Sequence, residues 1–332
     1  MQKKLINKEI RRISTFSSLP LLIFTLVFLA TSILAGIIVD TLGDYCIAVK
    51  KEHLTLITYT VIYGLGLFCP TLLFYAIRRK KTGLRLGRAF RKPQMSWGWI
   101  LKWFVIAESL TITMSFLTRL AAYIFETVTK KDLYEPDFNF GDSTLGIFAM
   151  FLALTIYAPF FEELFFRGTL YRHNEVLGQF FAIAICGVSF GLWHGNYEQL
   201  LYTMTMGCTM AFIFAKTRSI WPTILFHFLM NGYAALQLLA LQQLNGLPDN
   251  APQNIIYGSF VLLFTFILWQ AGIVLMILEF AIKRNRDRNK LRPGVFRIGG
   301  FKKLLVYFSS PVTIITYLLL IAETVYTALK GQ

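Results

Sequence analysis

Two adjacent glutamates and an arginine lie inside a long apolar stretch, Pro159-Phe160-Phe161-Glu162-Glu163-Leu164-Phe165-Phe166-Arg167-Gly168. An ionised side chain at the centre of a membrane span costs about 2.5–3.5 kcal/mol on insertion scales, so it is seldom kept there without a function. The three charges fall within six residues. They therefore indicate a functional site inside a membrane-spanning segment.

Helical geometry separates the two carboxylates. Residues four apart share one face of a helix, so Glu163 is expected beside Arg167. Glu162 points about 100° away from Glu163 and has no such partner. Its aromatic and leucine neighbours exclude water, and a carboxyl group held in that way can act as a general base near neutral pH. A purely structural network of Glu162, Glu163 and Arg167 is the alternative interpretation.

The whole chain has the composition of a membrane protein. Its 332 residues are 55% hydrophobic and 15% charged, with a mean hydropathy of +0.56, which is outside the range of ordinary soluble domains. Runs long enough to cross a bilayer occur at 16–39, 54–77, 97–125, 144–174, 178–196, 198–215, 220–243, 255–282 and 303–328. We predict an all-α polytopic transmembrane helix bundle of about eight or nine spans.

The order of the apolar runs and basic loops divides the chain into three parts. Residues 1–142 are expected to hold three N-terminal spans and a basic cytoplasmic linker, 143–243 a catalytic core of four spans, and 244–332 the C-terminal helices. The first apolar run is too long for a signal-peptide core, so we interpret it as a retained anchor. The four cysteines show no CxxC spacing, so neither a disulfide framework nor a thiolate metal site is indicated.

The net charge of +15 raises the possibility of a nucleic-acid partner, but the basic residues flank alternate spans. They cluster at 3–12, 78–92, 216–218 and 283–303, whereas the intervening loops are acidic or nearly neutral. This is the positive-inside distribution, so we expect a cytoplasmic N-terminus, an external C-terminus and no nucleic-acid partner. Membrane lipid is the expected partner, and the lysine-, isoleucine- and phenylalanine-rich composition suggests a bacterial cell membrane.

Two of the four histidines lie in apolar spans. His194 follows Phe190 by four residues and His227 precedes Asn231 by four, so each pair shares a helix face. If the 144–174 and 178–196 helices form a hairpin about Gly178, Glu162 and His194 lie at one depth, because each is sixteen residues from Gly178. Ideal hairpins leave His227 about 16 Å from that level at 1.5 Å per residue. A tilt, a kink at Pro159 or an unwound segment at 191–195 is expected to close the gap.

The motifs Glu162-Glu163-x-x-x-Arg167, Phe190-x-x-x-His194 and His227-x-x-x-Asn231 occur in this order. Together they resemble the three motifs of the CPBP (ABI) family of intramembrane proteases, which includes the type II CAAX prenyl endopeptidases. The resemblance covers roughly residues 143–240.

The resemblance implies a glutamate-type endopeptidase that needs no cofactor or metal. In that interpretation Glu162 and His194 activate a water molecule, while His227 and Asn231 stabilise the oxyanion. Glu163, Arg167 and Phe190 would support them. The expected substrate is a membrane-associated protein or peptide, which can carry a lipid, and the reaction is hydrolysis of a peptide bond.

Other interpretations remain open at this point. Glu162, His194 and His227 could supply three zinc ligands, although there is no HExxH motif and zinc is not favoured. Some members of the family are associated with bacteriocin self-immunity and peptide maturation, so a non-enzymatic immunity protein is a second class. A transporter is a third, because charges inside spans also mark ion paths. Glu108 and Glu323, outside the motifs, are expected to pair with residues such as Arg119 or Lys102.

Overall fold

The computed structural model describes residues 2–43, 71–72, 75–76, 86–134, 144–244, 247–248 and 251–330. Within these ranges the chain is helical and forms no strand, apart from an isolated bridge between Gly178 and Pro293. The predicted all-α helix bundle is therefore confirmed. Most of the predicted 54–77 span lies outside the described residues, as do Cys46 and Cys69.

The helices follow the apolar runs closely, with breaks that the runs do not reveal. They are α1 (Gln2–Gly43), α2 (Trp97–Thr129), α3 (Thr144–Leu152), α4 (Ala158–Phe165), α5 (Arg172–Asn174), α6 (Gln179–Trp193), α7 (Tyr197–Thr217), α8 (Trp221–Leu244), α9 (Pro252–Ala281), α10 (Lys283–Asn289), α11 (Gly300–Tyr307) and α12 (Pro311–Leu329). Two π-helical segments, π1 (Ala153–Tyr157) and π2 (Phe166–Tyr171), flank α4.

Five described helices are long and apolar enough to cross a membrane: Lys3–Val27 within α1, and α2, α8, α9 and α12. This makes the chain an integral membrane protein. The helix α6 has only 15 residues, and the predicted 303–328 span is divided at Ser310 into α11 and α12. The count of eight or nine spans stays a prediction.

The hairpin about Gly178 is present. Gly178 has a φ of +116°, a conformation that side chains with a Cβ rarely adopt, and it separates the end of the 144–177 segment from α6. Phe166 and Phe190, each twelve residues from Gly178, face one another with ring centroids 4.9 Å apart. The two arms are therefore in the register that the sequence predicted.

Close helix packing joins α6 to α7. A Cβ atom added at Gly207 would lie 2.9 Å from the Gly187 Cα atom and 2.9 Å from the Phe190 Cβ atom, so only glycine fits there. One buried core continues from these helices into the neighbouring ones, with Phe24 of α1 and Leu320 of α12 among its members. The N-terminal and C-terminal helices thus share a core with the central segment.

The turn between α7 and α8 lies deeper than the Gly178 turn. Ile220 Cδ1 is 3.8 Å from the position of a Cβ atom on Gly168, which precedes Gly178 by ten residues. Residues 89–94 cover this recessed turn, through a hydrogen bond from Ile220 N to Ala89 O (2.8 Å) and one from Gln94 N to Thr217 O (2.8 Å). The start of α8 is therefore nearer the level of Glu162 than an ideal hairpin would place it, and the predicted gap is closed, since His227 Nε2 lies 3.8 Å from Glu162 Oε2. The hydropathy pattern does not predict where this turn lies.

Candidate active site

Glu163 and Arg167 form a fully buried ion pair on the motif helix. Arg167 Nη1 donates to Glu163 Oε1 at 2.7 Å, so the pair expected from the four-residue spacing is present. Arg167 Nη2 donates to the carbonyl oxygen of Gly207 at 3.3 Å, and the guanidinium carbon lies 4.6 Å from the Phe190 ring centroid. Phe190 therefore supports the site by stacking on the arginine.

His227 is tied to the same carboxylate. Its Nδ1 atom lies 3.1 Å from Glu163 Oε1, and because an ionised carboxylate only accepts hydrogen bonds, Nδ1 carries the proton and donates it. The Nε2 atom is left facing Glu162, at 3.8 Å from Oε2. Glu163 thus fixes both Arg167 and the orientation of the His227 ring. Helix geometry does not predict this contact, because it joins residues 64 apart in the chain.

Glu162 is the carboxylate without a salt-bridge partner on its own helix, as predicted. It is 4% exposed, and its Oε2 atom accepts no hydrogen bond from any residue that the structure describes. Glu162 lies in the short helix α4, because π1 ends directly before α4 and π2 begins directly after it. Single π segments inside helices occur frequently at functional sites.

His194 is the first residue after α6 and is half-buried. Its Nδ1 atom lies 2.7 Å from the carbonyl oxygen of Phe190, so Nδ1 donates and Nε2 keeps its lone pair. The Phe190 ring lies between the two histidines, with centroids 4.8 Å from His194 and 5.8 Å from His227. Phe166 and Phe190 face each other across the hairpin about Gly178. Glu162 and His194 each lie one helical turn beyond these phenylalanines, away from Gly178, so they are at a similar depth.

Asn231 makes a contact that its expected role in stabilising the oxyanion does not predict. Its Nδ2 atom donates to the carbonyl oxygen of Leu154 in π1 at 2.9 Å. A carboxamide nitrogen carries two hydrogens, so one donor remains available. The assignment of Asn231 to the oxyanion stays a prediction.

The zinc alternative requires three ligand side chains to converge on one ion. In the described ranges, no three histidine, cysteine, aspartate or glutamate side chains are grouped so that they could hold a metal ion. Glu162, His194 and His227 do not form such a group there, and the expectation that the protein needs no metal stays a prediction.

The expected pairing of Lys102 with Glu108 or Glu323 is wrong. Lys102 Nζ instead donates to Oε1 of Glu279, a buried carboxylate near the end of α9. Asn289 Nδ2 also donates to Glu279, at 2.6 Å to Oε2. Lys102 thus joins α2 to the end of α9, and Glu323 lies elsewhere, against Gly195.

An apolar groove of about 240 Å³ opens beside the site, between π1, the start of α4 and α8. Its walls are Thr155, Ile156, Phe160, Trp221, Ile224, Leu225 and Phe228. The groove is bounded by the same two helices that carry Glu162 and His227.

These features describe a membrane helix bundle whose central segment assembles two glutamates, an arginine and two histidines. Residues 144–233 match the sequence model of the family described as Type II CAAX prenyl endopeptidase Rce1-like. The family resemblance inferred from the three motifs is thereby confirmed for this segment.

Two relatives are similar to part of this chain. One is the "Putative membrane peptidase YdiL" of Bacillus subtilis (strain 168), 37% identical over 94 residues, which are 27% of this chain and 37% of that protein. The other is the "UPF0177 protein YaiH" of Lactococcus lactis subsp. lactis (strain IL1403), 32% identical over 103 residues, 30% of this chain and 42% of that protein. The chain thus spans less than half the length of these relatives in the alignments. No solved structure matches it.

Proposed function

We propose that this protein is an intramembrane endopeptidase that hydrolyses a peptide bond in a membrane-associated or lipidated protein or peptide. One observation carries the proposal: the buried Glu162 Oε2 atom, which accepts no hydrogen bond within the described ranges, lies 3.8 Å from His227 Nε2. The match of residues 144–233 to a peptidase family supports the same activity.

The charges of the site favour one extra proton. Glu162 and Glu163 supply two negative charges and Arg167 one positive charge, so the cluster is negative when both histidines are neutral. A buried group of charges is most stable when it is balanced. One proton shared between Glu162 and His227 brings the cluster to zero. When Glu162 acts as a base, that proton resides on His227 Nε2.

This arrangement gives each residue a step in the hydrolysis. Glu162 accepts a proton from a water molecule as the water oxygen bonds to the peptide carbonyl carbon, and His194 Nε2 accepts the second hydrogen bond of that water and orients it. His227 Nε2–H donates to the oxyanion together with the remaining N–H of Asn231, a contribution of about 2.7–4 kcal/mol per donor in acyl-transfer enzymes. Glu162 then gives its proton to the leaving nitrogen as the C–N bond breaks.

The apolar groove is the best-placed route for the substrate. Ile224 and Phe228 line it from the same helix that carries His227, and Phe160 lines it two residues before Glu162. An attached lipid chain or the apolar side chains of a peptide fit these walls without burying an unpaired polar group.

The direct test compares purified wild-type protein with Glu162→Gln, incubated with a peptide library and analysed by mass spectrometry. We expect cleavage by the wild type, none by Glu162→Gln, and an unchanged size-exclusion profile. Glu9→Gln, the same charge change at an exposed position, is the matched control and should cleave normally. Near wild-type turnover by Glu162→Gln would show that Glu162 is not the catalytic base.

A non-enzymatic immunity role predicts a different result. Such a protein needs the fold but not the hydrolytic proton transfer, so Glu162→Gln would retain its protective effect in cells. Loss of that effect together with loss of cleavage supports the peptidase.

A further inference from the structure

Glu323 lies on α12, far outside the 144–233 segment, yet it reaches the turn that carries His194. A Cβ atom added at Gly195 would lie 3.1 Å from Glu323 Oε1 and 3.2 Å from Glu323 Cδ. Gly195 directly follows His194 and has a φ of +65°, which glycine adopts without strain. The carboxylate is thus packed against the backbone beside a proposed catalytic residue.

A second contact shows that this position is set by helix packing. The Ser189 and Tyr317 hydroxyls are hydrogen-bonded at 2.7 Å, and these residues are 128 apart in the chain. Gly195 and Glu323 are also 128 apart (323 − 195). Two contacts with the same offset mean that α6 and α12 run parallel and in register. Glu323 is therefore held at the depth of His194.

The surroundings of this carboxylate favour a positive charge. Glu323 is half-buried, and it has neither a hydrogen bond nor an ion pair with any residue in the described part of the chain. Carboxylates within membrane helices are costly and usually pair with a cation or mark a ligand path. Glu323 also lies beside the carboxyl end of α6, where the helix dipole is negative and attracts cations.

We propose that Glu323 binds a cationic side chain of the substrate, a lysine or arginine within a few residues of the scissile bond. This inference rests on the proposed peptidase function and adds to it a substrate class: peptides with a basic residue near the cleavage site. Glu323 is thereby a specificity residue that acts beside the water-activating machinery and takes no part in the proton transfers.

The test uses full-length protein and a degenerate peptide library in detergent. Among cleaved peptides, wild-type protein should enrich lysine and arginine near the cut by roughly tenfold, the effect of one charge-assisted hydrogen bond. Glu323→Gln, which keeps the shape of the side chain, should abolish the enrichment while total cleavage of neutral peptides persists. Glu323→Lys should enrich aspartate and glutamate instead. Glu9→Gln, with the same charge change far from the site, should keep the wild-type preference. Glu323→Ala replaces the glutamine variant if that protein fails to fold.

A binding measurement separates this proposal from the peptidase assignment. Peptides retained by immobilised Glu162→Gln protein should show the same basic preference, and the Glu162→Gln/Glu323→Gln double variant should lose it. If the immobilised protein retains basic peptides but the wild type cleaves no peptide, the peptidase function is overturned and the role of Glu323 in recognition stands. A preference in either assay that is unchanged by Glu323→Gln, or no basic preference in both, overturns the role of Glu323.

Discussion

At the scale of single residues, Glu163 is the centre of the site although Glu162 is the proposed base. Its Oε1 atom accepts hydrogen bonds from both Arg167 (2.7 Å) and His227 (3.1 Å). Removing one partner of a buried ion pair typically costs 3–5 kcal/mol because the other charge is left unbalanced, whereas removing both is much less harmful. This difference separates the structural role of Glu163 from its catalytic effect.

Glu163→Gln should therefore lower the free energy of unfolding by about 3–5 kcal/mol, since Arg167 loses its buried counter-charge. Most of this stability should return in the double variant Glu163→Gln/Arg167→Met, but cleavage should not, because His227 then lacks the negative charge that favours its proton. Thermal unfolding in detergent and peptide cleavage measure the two effects. A double variant as unstable as the single one would contradict the ion-pair argument.

Asn231 provides the second residue-level prediction. Interactions made only in the transition state lower kcat and kcat/KM together, whereas uniform binding contacts raise KM alone. Asn231→Ala should reduce kcat by about 10²-fold, the size of one lost oxyanion donor, with KM nearly unchanged. Asn231→Asp should be worse at neutral pH, because an ionised carboxylate repels both the oxyanion and the Leu154 carbonyl oxygen. Its activity should rise as the pH falls and the carboxyl group gains a proton.

A different kinetic result would assign Asn231 a different role. If both Asn231 variants keep kcat and only weaken substrate binding, then Asn231 serves to hold α8 against π1 through its bond to Leu154. Steady-state kinetics on one cleaved library peptide would decide between the two roles.

These residues also show what a sequence can predict about the site. The Glu163–Arg167 pair and the separation of Glu162 follow from helix geometry alone, because they depend on residues one turn apart. The bonds from His227 to Glu163 and from Asn231 to Leu154 join residues 64 and 77 apart. They depend on how deep α8 starts, which hydropathy does not encode.

At the scale of helices, the contact between α6 and α7 positions the arginine. Gly187 and Gly207 let the two backbones approach so closely that the Gly207 carbonyl oxygen reaches Arg167. Small residues at such crossings are typical of membrane helix pairs, in which close packing replaces the hydrophobic effect as the driving force. The composition gave no sign that these glycines differ from the others in the chain.

Gly207→Ala should destabilise the protein by about 1–3 kcal/mol, the usual cost of overpacking, and should also lower activity by moving the carbonyl oxygen that Arg167 contacts. Gly258→Ala is the matched control: it also lies inside a helix, but an added Cβ atom there meets nothing within 4 Å. It should be neutral or stabilise by up to about 1 kcal/mol through helix propensity. Equal melting temperatures for the two variants in detergent would contradict the close-packing argument.

At the scale of the whole molecule, basic segments that are distant in sequence meet at one end. Arg11 Nε donates to Ser309 Oγ at 2.8 Å, and Lys216 Nζ donates to the carbonyl oxygen of Arg288 at 2.8 Å. At the opposite end, Tyr134 N donates to the carbonyl oxygen of Ala328 at 3.1 Å, so the end of α2 and the end of α12 lie together. The positive-inside pattern predicts that these basic segments lie on one side of the membrane, and the assignment of that side as cytoplasmic stays a prediction.

The orientation of the bundle is therefore testable with two labelled positions. In a background with all four cysteines replaced by alanine, Gly299→Cys marks the basic end, and it is a site where an added Cβ atom meets nothing within 4 Å. Lys131→Cys marks the other end, directly after α2. In intact cells, a membrane-impermeant maleimide should label Lys131→Cys and not Gly299→Cys, and permeabilised cells should show labelling at both. Because moving a cluster of lysines and arginines across the membrane costs several kcal/mol, we expect one orientation only. The reverse labelling pattern would place the N-terminus outside, and would move the recessed turn at Ile220 and the cover formed by residues 89–94 to the external face.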